Sequence, residues 1–213
     1  MASKDTILIG CGPQAKYALE NLRLTDMHVR RVFDPIGRKV GERIGQFGIE
    51  PFSSFRSVID TDKDRINALI CLSDTRLKEE IFHRIRNDVC FINAIHPGSH
   101  IAHGVDLGTS LIINAGAIIQ PDAAIGHGCM IHAGVIVEHD GKIAAFVNLA
   151  PGVTLAGGVT IGQRTTVFSG AIVAPNVSIG KDVIIGAGSL VKDDIPDGST
   201  AYGTPARVVS SSK

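Results

Sequence analysis

From Ile95 to Val191, every sixth residue of the chain is Ile, Leu or Val, across seventeen consecutive positions and with no slip of register. These three types make up about a quarter of the residues, so chance would fill the series only about once in ~10^10 trials. A period of six suits neither a helix nor an alternating strand. It suits a parallel β-helix, in which each hexapeptide supplies one short strand and a corner, and the aliphatic column stacks in the interior.

The other columns of the repeat agree. One residue after the aliphatic come small types such as Gly108, Gly126, Ala144, Ala150, Ala156, Gly162, Gly180 and Gly186, as needed where backbone passes close to backbone. Four residues after it lies a second column of small or β-branched residues, including Val105, Ala117, Val135, Val147, Val159 and Val183, which also points inward. Cys129 occupies this column and is expected to be core rather than a nucleophile. With three hexapeptides per triangular coil, residues eighteen apart stack at strand spacing, about 4.8 Å.

The chain has 213 residues, of which 44% are hydrophobic, enough to bury the core of a β-helix and a smaller partner domain. Twenty-one basic and twenty-one acidic residues leave no net charge, against a general nucleic-acid binder or an anionic-membrane binder. Cys11, Cys71, Cys90 and Cys129 show no CxxC pairing and read as reduced packing residues. No apolar stretch reaches spanning length and the N-terminus lacks a signal-peptide pattern, so a cytoplasmic location is expected.

Residues 1–92 follow a different pattern from residues 93–213. An apolar segment at 6–9 runs into Gly10-Cys11-Gly12-Pro13-Gln14-Ala15, a G-x-G-x-x-A turn, and then into a helical pattern over 14–24. A second strand at 29–33 ends in Asp34, where a ribose-binding carboxylate is expected. A third strand at 66–72 leads through Ser73-Asp74 to a helix over 75–86, and a last strand follows at 89–92. This predicts a small Rossmann-like βαβαβ unit whose first turn offers backbone amides to a phosphate. The alternative is a plain strand-to-helix turn with a surface Asp34. A nicotinamide dehydrogenase is disfavoured, because about ninety residues lack the second mononucleotide half.

Six of the eight histidines lie between 96 and 139, which raises the question of a metal. His103 and His139 share a face, as do His96 and His132, but thirty-six residues put each pair about 9 to 10 Å apart, too far for shared ligation within one chain. A three-histidine zinc site across a subunit interface is the remaining metal reading. His139 stands out in Val137-Glu138-His139-Asp140-Gly141-Lys142: an outward imidazole with an adjacent carboxylate can take up a proton near neutral pH.

On these residues the chain resembles the bacterial sugar acyltransferases that join a nucleotide-fold domain to a left-handed β-helix. That group includes nucleotide-linked 4-amino-sugar N-acetyltransferases of the perosamine and bacillosamine pathways and proteins named sialic acid O-acetyltransferases. The likeness covers the glycine turn, Ile95-His96-Pro97, the His139 hexapeptide, the segments 155–162 and 185–188, and the closing Tyr202-Gly203-Thr204-Pro205-Ala206-Arg207.

The resemblance implies His139 as general base and Asp140 as the acid that orients it. It implies Asn148 facing the acyl group, an edge around Gly157, Ser169 and Ala187 for the pantetheine arm of acetyl-CoA, and Pro205 and Arg207 near the adenine. Gly10, Gly12, Pro13, Gln14, Asp34 and Ser73 would hold the acceptor, although many relatives carry Gly-Ala-Gly-Gly-His where this chain has Gly-Cys-Gly-Pro-Gln. A homotrimer with active sites between subunits, and no metal, are implied as well. The activity implied is acetyl-CoA-dependent N-acetylation of a nucleotide-linked amino sugar, a 4-amino-4,6-dideoxyhexose, in surface-glycan synthesis. O-acetylation of a sugar and a non-catalytic nucleotide-sugar-binding protein are its rivals.

Overall fold

A computed structural model describes residues 6–25, 27–61 and 66–211. They fall into two compact units, Met1–Pro97 and Gly98–Lys213.

The first unit is an open α/β sheet. Its elements are β1 (Thr6–Ile9), α1 (Pro13–Arg23), β2 (Val29–Asp34), β3 (Arg43–Ile44), β4 (Phe47–Pro51), α2 (Phe55–Thr61), β5 (Ile66–Ile70), α3 (Thr75–Ile85) and β6 (Val89–Phe91). Strands run in the order β3-β4-β2-β1-β5-β6, all parallel except the two-residue β3. Every residue of β1 is buried, as a strand covered on both sides requires. Pro13 opens α1, where a missing amide costs nothing, and the Asp74 carboxylate caps α3 by accepting from the amides of Arg76 and Leu77, both at 3.0 Å. The hairpin β3–β4 and α2 are additions to the expected βαβαβ pattern.

The second unit is a three-faced parallel β-helix in which paired strands lie eighteen residues apart, so that Ile119 pairs with Ile101 and Val137, and Leu155 with Val173. Face one contains Ile112–Ile113, Met130–Ile131, Asn148–Leu149, Thr166–Val167 and Ile184–Ile185; face two runs from His100–Ile101 to Leu190–Val191; face three runs from Asp106–Leu107 to Ser178–Ile179. From Ile113 to Val191 no member of the aliphatic column is more than 3% exposed. From Leu111 on the second inward column is buried too, and its polar members are satisfied: Thr165 Oγ1 donates to the Gly180 carbonyl at 2.7 Å and accepts from the Val183 amide at 3.0 Å. Cys129 is fully buried in this column, 3.1 Å from the Ala144 carbonyl. All four cysteines are free; Cys71 and Cys129 are buried, Cys11 and Cys90 half-buried.

Two features turn the corners. Three residues after each inward aliphatic, from Gly104 to Gly188, the backbone is left-handed; the non-glycine residues there are mainly Asp, Asn and Ser, which tolerate it. At the position one after the aliphatic the coils touch: a Cβ on Gly126 would lie 2.6 Å from the Ala145 nitrogen. A hairpin of Ser199–Gly203 and Ala206–Ser211 closes the end, its first strand extending face one.

Candidate functional site

His139 and Asp140 sit at the corner between faces two and three, where Asp140 occupies the left-handed position at φ 60°. That conformation swings its carboxylate back onto the preceding ring, so that His139 Nδ1 and Asp140 Oδ2 are 2.7 Å apart. Both side chains are exposed. The hydrogen bond to Asp140 raises the imidazole pKa above its ordinary value of 6.5; partial desolvation opposes this, and the charges of Asp140 and Glu138 add to it. With the Nδ1 proton donated to the carboxylate, Nε2 is left free to accept one.

The Nε2 edge lies over Gly157, the equivalent residue one coil on. The carbonyl of His139 accepts from the Gly158 amide at 3.0 Å, which fixes the two corners to each other.

Gly157, Ser169 and Ala187 do not share an edge as expected. Ser169 and Ala187 stack at the corner between faces one and two, whereas Gly157 lies at the corner between faces two and three. A coil has three corners, so residues twelve apart cannot stack and residues eighteen apart must. Between these corners face two presents Ile172, 48% exposed, and half-buried Leu190, Ala156 and Ala174, an apolar strip. Thr204 Oγ1, donating to the Gly188 carbonyl at 3.4 Å, draws the hairpin turn with Pro205 against the Ala187 corner. Arg207 is exposed and pairs with Asp193 at 3.6 Å.

Asn148 lies on face one, with its buried Oδ1 making no hydrogen bond. Face one is opposite the corner that carries His139. The two cannot meet within one prism.

In the first unit the predicted acceptor residues converge at the C-terminal ends of β1, β2 and β5. Gly10 has φ 116°, and a Cβ on it would sit 2.4 Å from the Cys71 carbonyl oxygen, so this glycine is required by the fold. Gly12 has nothing within 4 Å of its Cβ position and faces open space. Buried Gln14 donates to Ser73 Oγ at 3.3 Å, joining the first turn to the one after β5. Asp34 is 4% exposed and turned into its own loop: Oδ1 accepts from the Ile36 amide at 2.9 Å and Oδ2 from the Lys39 amide at 2.7 Å. Its carboxylate is turned away from the ribose-binding role expected from the sequence, and it is not the surface residue of the alternative either. Loop 36–39, which these bonds place beside the glycine turn, is the part of this site that the sequence reading missed.

Among the described residues no group of three or more His, Cys, Asp or Glu side chains is placed to hold a metal ion. Among the described residues no helix is long and apolar enough to cross a membrane.

Residues 158–193 match the family model described as bacterial transferase hexapeptide (six repeats). A variant of perosamine N-acetyltransferase from Caulobacter crescentus, solved with CoA and GDP-perosamine, is 30% identical over 98% of both chains with a TM-score of 0.92. The acetyltransferase domain of PglB from Neisseria gonorrhoeae, solved with acetyl coenzyme A, is 22% identical over 98% of this chain and 100% of that one, with a TM-score of 0.88. WeeI from Acinetobacter baumannii is 20% identical over 96% and 99%, with a TM-score of 0.86. These likenesses carry the left-handed β-helix fold across to this chain. No curated protein sequence matches it.

Proposed function

The chain belongs to the bacterial hexapeptide-repeat sugar N-acetyltransferases, the family of perosamine N-acetyltransferase, and on that premise we propose how its residues divide the work. The protein is an acetyl-CoA-dependent N-acetyltransferase acting on a nucleotide-linked amino sugar. The acceptor we assign is a 4-amino-4,6-dideoxyhexose, the class that perosamine represents, in surface-polysaccharide synthesis in the cytoplasm.

The observation that carries the mechanism is the His139–Asp140 pair with its free Nε2. The acceptor amine attacks the thioester carbonyl; Nε2 takes the proton that the nitrogen sheds, and Asp140 stabilises the imidazolium. The Gly157 amide, which makes no hydrogen bond in the chain, donates to the oxygen on which charge develops. As the tetrahedral adduct collapses, the C–S bond breaks and the imidazolium returns its proton to the departing CoA sulfur. No acyl-enzyme is needed, and buried Cys129 is out of reach of solvent.

Acetyl-CoA lies along the apolar strip of face two, with its pantetheine arm between the Ser169–Ala187 corner and Gly157, and its adenine near Pro205 and Arg207. Because Asn148 and His139 are on opposite sides of one prism, a site using both is built from two copies. This supports a homotrimer with sites between subunits. The first unit, read as a Rossmann-like nucleotide-sugar domain over the expected residues 1–92, holds the nucleotide through the glycine turn and Gln14–Ser73, and residues 93–213 hold acetyl-CoA.

A screen of thiol release from acetyl-CoA against UDP-, dTDP- and GDP-linked amino and hydroxy sugars tests this reading. Turnover with an amino acceptor, lost about 10²- to 10⁴-fold in His139→Ala, is expected. Turnover with hydroxy acceptors alone would make the protein an O-acetyltransferase, and failure to bind acetyl-CoA would leave a sugar-binding protein.

A further inference from the structure

Asp34 closes β2 next to the glycine turn, whose Gly10 amide donates to the neighbouring Phe33 carbonyl at 2.8 Å. Its carboxylate has about four lone-pair positions to fill. The Ile36 amide donates to one of its oxygens and the Lys39 amide to the other, and the residue is only 4% exposed. Burial would push this carboxyl up, yet the loop amides together hold it below the ordinary carboxylate range. Buried and turned into its own loop, it offers almost no surface to a ribose hydroxyl.

What the carboxylate does is fold a loop. Lys39 is fixed at Asp34 by its amide, while its carbonyl accepts from Glu42 at 3.0 Å. The loop is tied to β4 just beyond, through Gly41 donating to the Ile49 carbonyl and Ile49 to the Glu42 carbonyl, both at 2.9 Å. The backbone of Lys39 is therefore held at Asp34, the residue that follows the Phe33 carbonyl bound by Gly10. The turn itself offers amides and no cation: its side chains are Cys11, Pro13 and Gln14.

Resting on the nucleotide-sugar reading above, we infer that Asp34 is a positioning residue that does not touch the ligand, and that Lys39, set by it, supplies the positive charge for the diphosphate at the glycine turn. Electrostatics point the same way: after burial and Asp34, which raise the Cys11 pKa, Lys39 is the cation that lowers it. An ammonium here makes charge-assisted hydrogen bonds to phosphate oxygens, complementing the neutral amides of the turn.

Two measurements on the full-length protein test the pair. Calorimetric titration with GDP and UDP should show the tighter diphosphate losing about ten- to a hundredfold in affinity in Lys39→Ala, with Lys39→Arg largely restoring it. Lys39→Ala binding that diphosphate as the wild type does would overturn the assignment. If the wild type binds neither diphosphate, the nucleotide reading itself is wrong and this inference goes with it. For Asp34, hydrogen exchange of the ligand-free protein is the readout, since a residue that only contacts ligand leaves it unchanged. Asp34→Ala should speed exchange at the Ile36 and Lys39 amides; unaltered protection there would reject the anchoring role.

Discussion

The imidazole of His139 fills the space in which a side chain on Gly157 would begin: a Cβ built there lies 2.7 Å from both Cε1 and Nε2 of the ring. Asp140 holds one edge of the ring and the bare backbone of the next coil receives the other. Gly157→Ala keeps the amide and adds only a methyl group, so any change reports displacement of the ring. A shift of about 1 Å in a catalytic base is expected to lower kcat by about ten- to a hundredfold. Steady-state rates, with His139 ring resonances of the ligand-free variant as an independent check, decide it. A fully active Gly157→Ala would show that ring placement is not limiting.

The pH dependence follows from the same pair. Asp140 raises the His139 pKa, so at a given pH less of the imidazole is in the neutral form that acts as base, and the acid limb of kcat/KM should inflect above 6.5. Asp140→Asn is the variant of choice because Asn also tolerates the left-handed backbone. Loss of the carboxylate should move the limb toward acid and lower the plateau rate. A limb that stays in place would separate His139 from the titration.

How far this fold was legible depended on whether a residue answers to a period or to a neighbour. Leu155 and Val173 were readable as core because stacking repeats every eighteen residues, and the same stacking made His139 an outward corner residue. The hairpin around Gly45 and Gly48 was not: β3 is two residues long, and two glycines and Pro51 erase the alternation that marks a strand. Asp34 stood where a ribose ligand is expected, but the direction of its carboxylate is set by the amides of Ile36 and Lys39, which no spacing rule encodes.

Stability should reside in the stacked columns. Leu155 is fully buried between Val137 and Val173, and Leu155→Ala should cost about 2 to 5 kcal/mol in denaturant unfolding of the full-length protein. Ile172→Ala, at an exposed position of the same face, should cost far less within the prism. Equal losses would mean that Ile172 is buried in the assembly.

Metal should play no part in turnover, because the mechanism proposed for His139 works through its carboxylate partner at 2.7 Å and not through a ligand set. Activity after exhaustive chelation should match the untreated enzyme. Stoichiometric zinc whose removal abolishes activity would revive a three-histidine site between subunits.

The two glycines of the first turn separate binding from folding. A side chain on Gly10 would strike the Cys71 carbonyl, so Gly10→Ala should destabilise the first unit whether or not substrate is present. Gly12 faces open space at an ordinary φ of -86°, so Gly12→Leu should leave unfolding unchanged and place its side chain in the proposed nucleotide site. The expected signature is a raised KM for the nucleotide sugar with little change in that for acetyl-CoA, as when contacts remote from the reacting atoms are lost. The free amino sugar forfeits those contacts and should be a poor substrate for the wild type. Gly12→Leu should then narrow the gap between free and nucleotide-linked sugar. If the wild type acetylates the free sugar as well as its nucleotide-linked form, the first unit does not select the nucleotide and the sialic-acid type of O-acetylation becomes the better reading.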